Sequence, residues 1–491
     1  MAAFLPRNLS AALAAALAVQ VLAGCAVGPD FVRPTLTLPE EFGSRASAGL
    51  EELPDGAQQD PAFWSAFGDP VLTSLVEASL RENHDIRTAL AAVNQTRALA
   101  RLSSLERLPS VRAGASVSES QGPAPGASTR SQAATQEYGA EVVASWELDL
   151  FGRLKRRAEA GNARAAAAEA DLAALQVLVV AEVCRTYFEL RSLQRRIKVA
   201  EENAGNQADT LKLVEARLRG GIATEFDAAR SRALLGSTQA QVPGLKAEAA
   251  AARYRLAVLA GHSPEHYPTS LDSAADLPDA PDIALATPAA VIRRRPDVSA
   301  AEHRLHTSTA EVGVQTADLF PRLTLGGLLG TLSPTSGGLF EGAAERRGAF
   351  LGIDWTFLDV GRVRARIRAS EAAAEGALSD YQETVLLALE DTESALVRSL
   401  AAKHSARLLR DVAASSRQAA GLARMRYEAG ATGLLEVLEA DRERLEFEQA
   451  EVQERTRALV ASVNLYKAMA GGWPPIASER LARAERPAGS D

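Results

Sequence analysis

Two periodicities divide the chain. Between residues 138 and 148 the side chains alternate. Tyr138, Ala140, Val142, Ala144, Trp146 and Leu148 fall on one face, and Gly139, Glu141, Val143, Ser145 and Glu147 on the other. A period of two belongs to a strand, here with an apolar and a largely polar side. A second such run sets Leu351, Ile353, Trp355 and Phe357 against Gly352, Asp354 and Thr356. A weaker run precedes each: Val111, Ala113, Ala115 and Val117, then Leu323 and Leu325. The pattern predicts strands at about 110–118, 137–149, 322–331 and 349–358. Polar, turn-rich loops at 118–136 and 332–348 separate the members of each pair.

After each pair the period changes to three and four. Leu172, Leu175, Val179, Val183, Leu190, Leu193 and Ile197 recur at helical steps among Arg, Glu and Gln. Residues 152–218 and 361–427 each span 67 positions without proline. At 1.5 Å per residue such a helix reaches roughly 100 Å and calls for coiled-coil-like packing on neighbours. The regions of Gly221 and Gly430 stop these helices, since a turn between antiparallel helices wants a residue tolerant of positive φ. Shorter helices at about 226–259 and 435–469 run back, and stretches at about 83–107 and 295–319 cover the remainder.

The chain is written twice. Trp146 and Trp355 are 209 residues apart, as are Gly152 and Gly361, Gly221 and Gly430, and Asp227 and Glu436. Upstream, Asp85 matches Asp297 and Pro109 matches Pro321 at an offset of 212. The expected organisation is therefore a leader at 1–24 and an extended segment at 25–70. Two repeats follow at 71–284 and 285–471, then a tail at 472–491. Trp146 and Trp355 stand at matching heights where each strand becomes a helix, as expected of an interfacial aromatic girdle. Gly152 and Gly361 are expected to let the chain swing from strand to helix.

Composition narrows the reading. The 491 residues carry 54 basic and 62 acidic side chains, net −8, with both signs spread along the chain. A nucleic-acid binder would show a basic face. Only 5% of residues are aromatic, which suits long helices better than a compact globule. No mature segment has 18 uninterrupted apolar residues, so any membrane crossing must be made by strands. A half-buried soluble sheet would need a core to lie on. A lipid-facing barrel with a polar lumen needs none. Four strands cannot close a barrel. Two chains would give eight strands and a filled interior, and three would give twelve and room for a water-filled pore.

Six histidines are scattered. The pairs His303/His306 and His262/His266 have no third ligand nearby, and no phosphate loop, dinucleotide fingerprint or nucleophile elbow is present. Neither a metal, nor a cofactor, nor an enzymatic activity is expected. Cys184 falls in an apolar helical pattern and is expected to be a buried, inert thiol. The N-terminus has Arg7, an apolar run from Leu9 to Val21, then Leu22-Ala-Gly-Cys25. That ending resembles the bacterial lipobox and implies cleavage before Cys25 and lipid on its sulfur and new amino group. Residue 26 is Ala rather than Asp, so the resemblance implies an outer-membrane address.

Nearly the whole mature chain resembles the TolC-like outer-membrane factors, especially the OprM/NodT lipoprotein branch. The resemblance rests on Cys25-Ala-Val-Gly-Pro-Asp-Phe-Val-Arg-Pro34, on Phe63-Trp64, Phe67, Asp69-Pro70 and Asn83, and on Arg294-Arg-Pro-Asp-Val298 with Leu319-Phe-Pro-Arg-Leu-Thr-Leu325. It implies a mainly α fold with a small β part. Three chains would form a 12-stranded outer-membrane barrel continuous with a periplasmic α-helical barrel. It implies the exit duct of a tripartite efflux or secretion system, with a periplasmic adaptor, an inner-membrane pump of the RND type and outer-membrane lipid as partners. Arg217, Gly221, Thr224, Arg426, Gly430, Thr432 and Gly433 would be helix tips that touch the adaptor. Asp227, Tyr427, Glu436 and Glu439 would line the periplasmic aperture, where crowded carboxylates repel and bind cations. Helix-start carboxylates are also favoured by the dipole, and both roles can hold at Glu436 and Glu439. The family often has Arg where this chain has Thr432, a departure that leaves an inter-helix latch there open. The competing reading is a lipid-anchored periplasmic coiled-coil scaffold or adaptor. Such a protein has no use for lipid-facing aromatics at matched places.

Overall fold

The computed structural model describes residues 26–43, 62–123, 132–283 and 285–469. The leader, Cys25, part of the 25–70 segment and the 472–491 tail lie outside the described residues. In chain order the elements are α1 (Pro70–Glu82), α2 (His84–Leu105), β1 (Ser110–Pro123), β2 (Gln132–Leu148), α3 (Arg153–Arg219) and α4 (Glu225–Leu259). Then come α5 (Pro288–Arg294), α6 (Pro296–Ala317), β3 (Arg322–Ser333), β4 (Glu345–Asp354), α7 (Val360–Glu428) and α8 (Leu434–Met469). They fall into two compact units. The first takes described residues within 1–35, 92–169 and 300–382, and the second the others. None of the described helices is long and apolar enough to cross a membrane.

The first unit holds one antiparallel sheet in the order β1-β2-β3-β4. Partners across an antiparallel ladder share a face, so the register tests the alternation directly. Val111 pairs with Ala144, Val142 with Leu329, Trp146 with Leu325, and Leu325 with Leu351. One face thus gathers Val111, Val142, Leu325, Leu329, Leu351 and Ile353, every one of them exposed. The opposite face carries Arg112, Glu141, Glu147, Arg346 and Asp354. Its exposed Phe350 lays its ring over Gly326, where a Cβ would meet Cζ at 2.1 Å.

The strands differ from expectation at their ends. β1 and β2 run further into the loop than the alternation indicated. β4 starts earlier and stops at Asp354, so Trp355 and Phe357 are not strand residues. The ladder ends there because Asp354 pairs with Arg322, and Pro321 before it has no N–H to continue. The two tryptophans are nevertheless held alike. The Trp146 indole N–H donates to the Arg107 carbonyl at 2.9 Å, and that of Trp355 to the Leu319 carbonyl at 3.0 Å. At the first corner Gly152 has φ +75°, as expected. Gly361 does not serve as a swing point. α7 has already begun at Val360, and Asp359 accepts at its first turn from Arg362 N–H at 3.0 Å.

Residues 26–35 are tied to this unit. Val27 N–H donates to the Phe151 carbonyl at 3.1 Å. The buried Arg156 guanidinium donates to the Val27 carbonyl at 3.3 Å, to Asp30 at 2.6 Å and to Glu159 at 2.9 Å. Phe31 stacks on His306 with 4.4 Å between ring centres. His306 in turn hydrogen-bonds Glu159 at 2.9 Å.

The second unit explains several motif residues. Phe63 stacks on Tyr466 at 4.7 Å, and Phe67 meets Phe188 at 4.9 Å. Asp69 caps α1 by accepting from Val71 and Leu72 N–H at 2.8 and 3.2 Å, with Pro70 at the first helical position. Its other oxygen accepts from the Tyr187 hydroxyl. Asn83 separates α1 from α2, accepting from Asp85 and Ile86 N–H and donating to the Leu259 carbonyl at 3.0 Å. Arg295 of the Arg-Arg-Pro-Asp motif is buried, and donates to the Ala468 carbonyl at 2.8 Å, to Asp297 at 2.8 Å and to Asp391 at 3.2 Å. It thereby fastens the end of α8 to α7. Cys184 is buried and free, and burial pushes its thiol pKa far up.

Gly28 tests the N-terminal strap. Its φ is +89°, and a Cβ there would lie 2.5 Å from the Gly313 Cα. Gly28→Ala should cost more than about 1 kcal/mol, seen as faster proteolysis at 26–35 with the sheet signal in circular dichroism unchanged.

Candidate functional site at the hairpin turns

The long helices end in two turns of the same construction. In the first, Gly221 has φ +73°, its N–H bonds the Leu218 carbonyl at 3.0 Å, and Ile222 N–H bonds the Arg217 carbonyl at 2.9 Å. In the second, Gly430 has φ +72°, its N–H bonds the Tyr427 carbonyl at 3.0 Å, and Ala431 N–H bonds the Arg426 carbonyl at 2.8 Å. Both are Schellman closures, which need a left-handed residue at the glycine position.

The helices that run back start differently. Thr224 opens α4 with a capping box: its hydroxyl accepts from Asp227 N–H at 3.2 Å, and Asp227 accepts from Thr224 N–H at 3.0 Å. The bond from Thr224 N–H, with a second from the Thr224 hydroxyl at 2.7 Å, holds the Asp227 carboxyl below its ordinary range. Gly433 occupies the matching place before α8 and has no side chain to cap with. Thr432 supplies a hydroxyl instead, which donates to Glu436. Thr432 thus bonds within its own hairpin.

The link between hairpins comes from Arg217. Its guanidinium donates to the Tyr427 carbonyl at 2.9 Å and the Glu428 carbonyl at 3.2 Å, and lies 4.1 Å over the Tyr427 ring. It therefore caps the negative end of α7 and gains a cation–π contact. The repeat-matched Arg426 is exposed and makes no such bond. Beneath this link, Val214, Ala228, Tyr427, Leu434, Val437 and Leu438 form one buried cluster. Glu436 and Glu439 stay on the exposed face of α8.

Sequence reasoning missed a buried charge layer further along. The core positions of α8 are Leu434, Leu438, Asp441, Leu445, Glu448 and Val452, all buried, at alternating steps of four and three. Glu448 accepts from Asn203 of α3 at 2.9 Å, from Arg417 of α7 at 2.8 Å and from Arg444 at 3.2 Å. Asp441 sits one heptad nearer the turn. Burial pushes its carboxyl pKa up, against the pull of Arg444 and Arg424. Two carboxylates on the apolar seam were the available signal.

A sheet with one exposed apolar face, joined to helical hairpins that end in paired glycine turns, defines an outer-membrane channel. The chain belongs to the outer membrane efflux protein family, whose description matches it twice, over residues 75–262 and 287–471. It is 30% identical over 471 residues to the outer membrane protein OprJ of Pseudomonas aeruginosa, covering 94% of this chain and 96% of that one. It is 31% identical to the pyoverdine export outer membrane protein OpmQ of Pseudomonas putida, covering 90% and 93%. Nodulation protein T of Rhizobium leguminosarum bv. trifolii is 30% identical, with 94% and 97% covered. Among solved structures, the outer-membrane channel OprN superposes with a TM-score of 0.85 at 38% identity, covering 91% of this chain and all of that one. The open state of the MtrE outer membrane channel of Neisseria gonorrhoeae gives 0.78 at 25% identity, covering 91% and 99%. The function is that of an outer-membrane efflux channel with a large periplasmic portion.

The two arginines of the turns should separate by mutation. Arg217→Ala should lower the thermal midpoint of the purified protein by a few degrees, the loss of about 1–2 kcal/mol of charge-assisted bonding. Arg426→Ala should leave it unchanged.

Proposed function

We propose that three copies of this chain close a twelve-stranded barrel in the outer membrane. In this reading they serve as the exit duct for a periplasmic adaptor and an inner-membrane pump of the RND type. The observation that carries the trimer is the sheet itself. Its apolar face is exposed over all four strands, and β1 and β4 are each paired on one edge only among the described residues. Lipid would cover that face, and neighbouring copies would take up the edges.

The hairpin turns are the adaptor-facing part in this reading. Arg217, Gly221, Thr224, Arg426, Gly430, Thr432 and Gly433 present short polar surfaces beside ends closed by glycine. Asp227, Tyr427, Glu436 and Glu439 border the aperture. The exposed Glu436 and Glu439 supply its carboxylates, whereas Asp227 is occupied by its cap and Tyr427 by Arg217. The buried layer at Glu448 keeps α3, α7 and α8 together behind them. No cofactor enters this scheme. The attached group is a lipid on Cys25. Support comes from the next residue, Ala26, whose Cα would lie 2.6 Å from a Cβ on Gly152, at the corner where β2 gives way to α3.

The faces give the test. Val142→Arg places a charge on the apolar face and should cost about 2–4 kcal/mol of membrane insertion. The heat-modifiable, crosslinkable trimer should fall away in outer-membrane fractions. Ser145→Arg, on the opposite face, should leave the trimer intact. Labelled palmitate should be incorporated by the native chain and not by Cys25→Ser. Release of an intact monomer by high-salt washing would refute the channel assembly.

A further inference from the structure

Three of the four hairpin helices carry a helix-weakening residue at one level. Gly205 is the only glycine of α3 in the second unit, and Gly421 the only one of α7 there. Pro243, followed by Gly244, lies inside α4. Proline has no N–H to give to the carbonyl four residues back, and glycine leaves the backbone freer than any other residue.

The level is fixed by cross-helix bonds. Gly205 and Pro243 line the same open groove of about 570 Å³, with Ala208 and Val242, and Glu201 and Lys246 pair at its rim at 2.8 Å. Asn203 meets Glu448, and so does Arg417. Because α8 runs antiparallel to α3 and α7, Gly205 and Gly421 both stand opposite the stretch between Arg444 and Glu448. None of the three glycines is required by packing: a Cβ on Gly205, Gly244 or Gly421 would find nothing within 4 Å.

The core at this level is also incompletely bonded. Gln207 is 2% exposed, and both atoms of its amide lack a hydrogen-bond partner. The antiparallel pairs Arg196–Gln449 and Asn203–Glu448 set Gln207 opposite the stretch between Leu438 and Arg444, which includes Asp441. Arg424, one heptad along from Arg417, stands opposite Asp441 but turns to Glu428 at 3.4 Å. A half-satisfied polar layer is a weak plane in an otherwise close-packed core. Glu448 on one side and the cluster around Tyr427 on the other are fully engaged.

We propose that this plane is a hinge. The outer ends of the hairpins, about 206–242 and 422–442, move as a body against the rest of the second unit. The bend falls at Gly205, Pro243-Gly244 and Gly421, over the layer of Gln207 and Asp441. The hinge is a property of the bundle. Its use in widening the aperture rests on the exit-duct reading above.

Hydrogen exchange on the purified full-length protein in lipid discs tests the hinge without reference to transport. Amides within a turn of residues 205, 243 and 421 should exchange faster than those flanking them in the same helices. The double variant Gly205→Ala/Gly421→Ala should slow that exchange roughly tenfold. Asp441→Leu, which completes the apolar seam, should slow it as well. Gly376→Ala, at an equally open glycine of α7 outside the plane, should leave it unchanged. Unaltered exchange in the double variant, or an equal effect from Gly376→Ala, overturns the hinge. Export by cells carrying the double variant at native abundance should fall. Slowed exchange with undiminished export would overturn the link to the aperture alone.

Discussion

A backbone that crosses lipid has no water to bond with, so every N–H and C=O must be paired within protein. That requirement governs the sheet. β2 and β3 are paired on both sides, whereas β1 and β4 are paired on one. A four-stranded sheet with an apolar exterior is therefore a fragment of a structure that only further copies complete. The duplicated sequence follows the same logic. Each repeat brings one hairpin to the sheet and one pair of antiparallel helices, and neither hairpin alone would bury its edges.

The helices answer a different demand. They are alanine-rich and weakly amphipathic, so packing comes from a narrow seam rather than a broad core. Charge then has to be admitted to the seam. Glu448 shows the satisfied form, with three donors from three helices. Asp441 has arginines near it but no such set of donors, and burial raises its pKa. The contrast within one heptad of α8 separates a fastened part of the bundle from a yielding one.

Much of this was legible in the sequence, because the signals were periodic. The alternation at 138–148 gave the strand and both faces, and the register bears out the side chains assigned to them. The proline-free runs gave α3 and α7 to within a residue at either end. What escaped was set by tertiary partners. Trp355 alternates like a strand residue, yet the ladder had lost its N–H at Pro321. Gly361 matches Gly152 in sequence but lies inside a helix that started earlier. The turn residues around Gly221 and Gly430 were found through the repeat. The bond from Arg217 to the Tyr427 carbonyl joins different repeats and leaves no periodic trace.

That bond has a historical consequence. Two identical tandem copies would have offered Arg217 and Arg426 the same choice of partner. Only one of them reaches across, and Gly433 has no capping side chain where Thr224 has one. The halves have become lock and keeper. An early ancestor with a single copy of the unit could have assembled from six equal parts, but the present halves are no longer interchangeable.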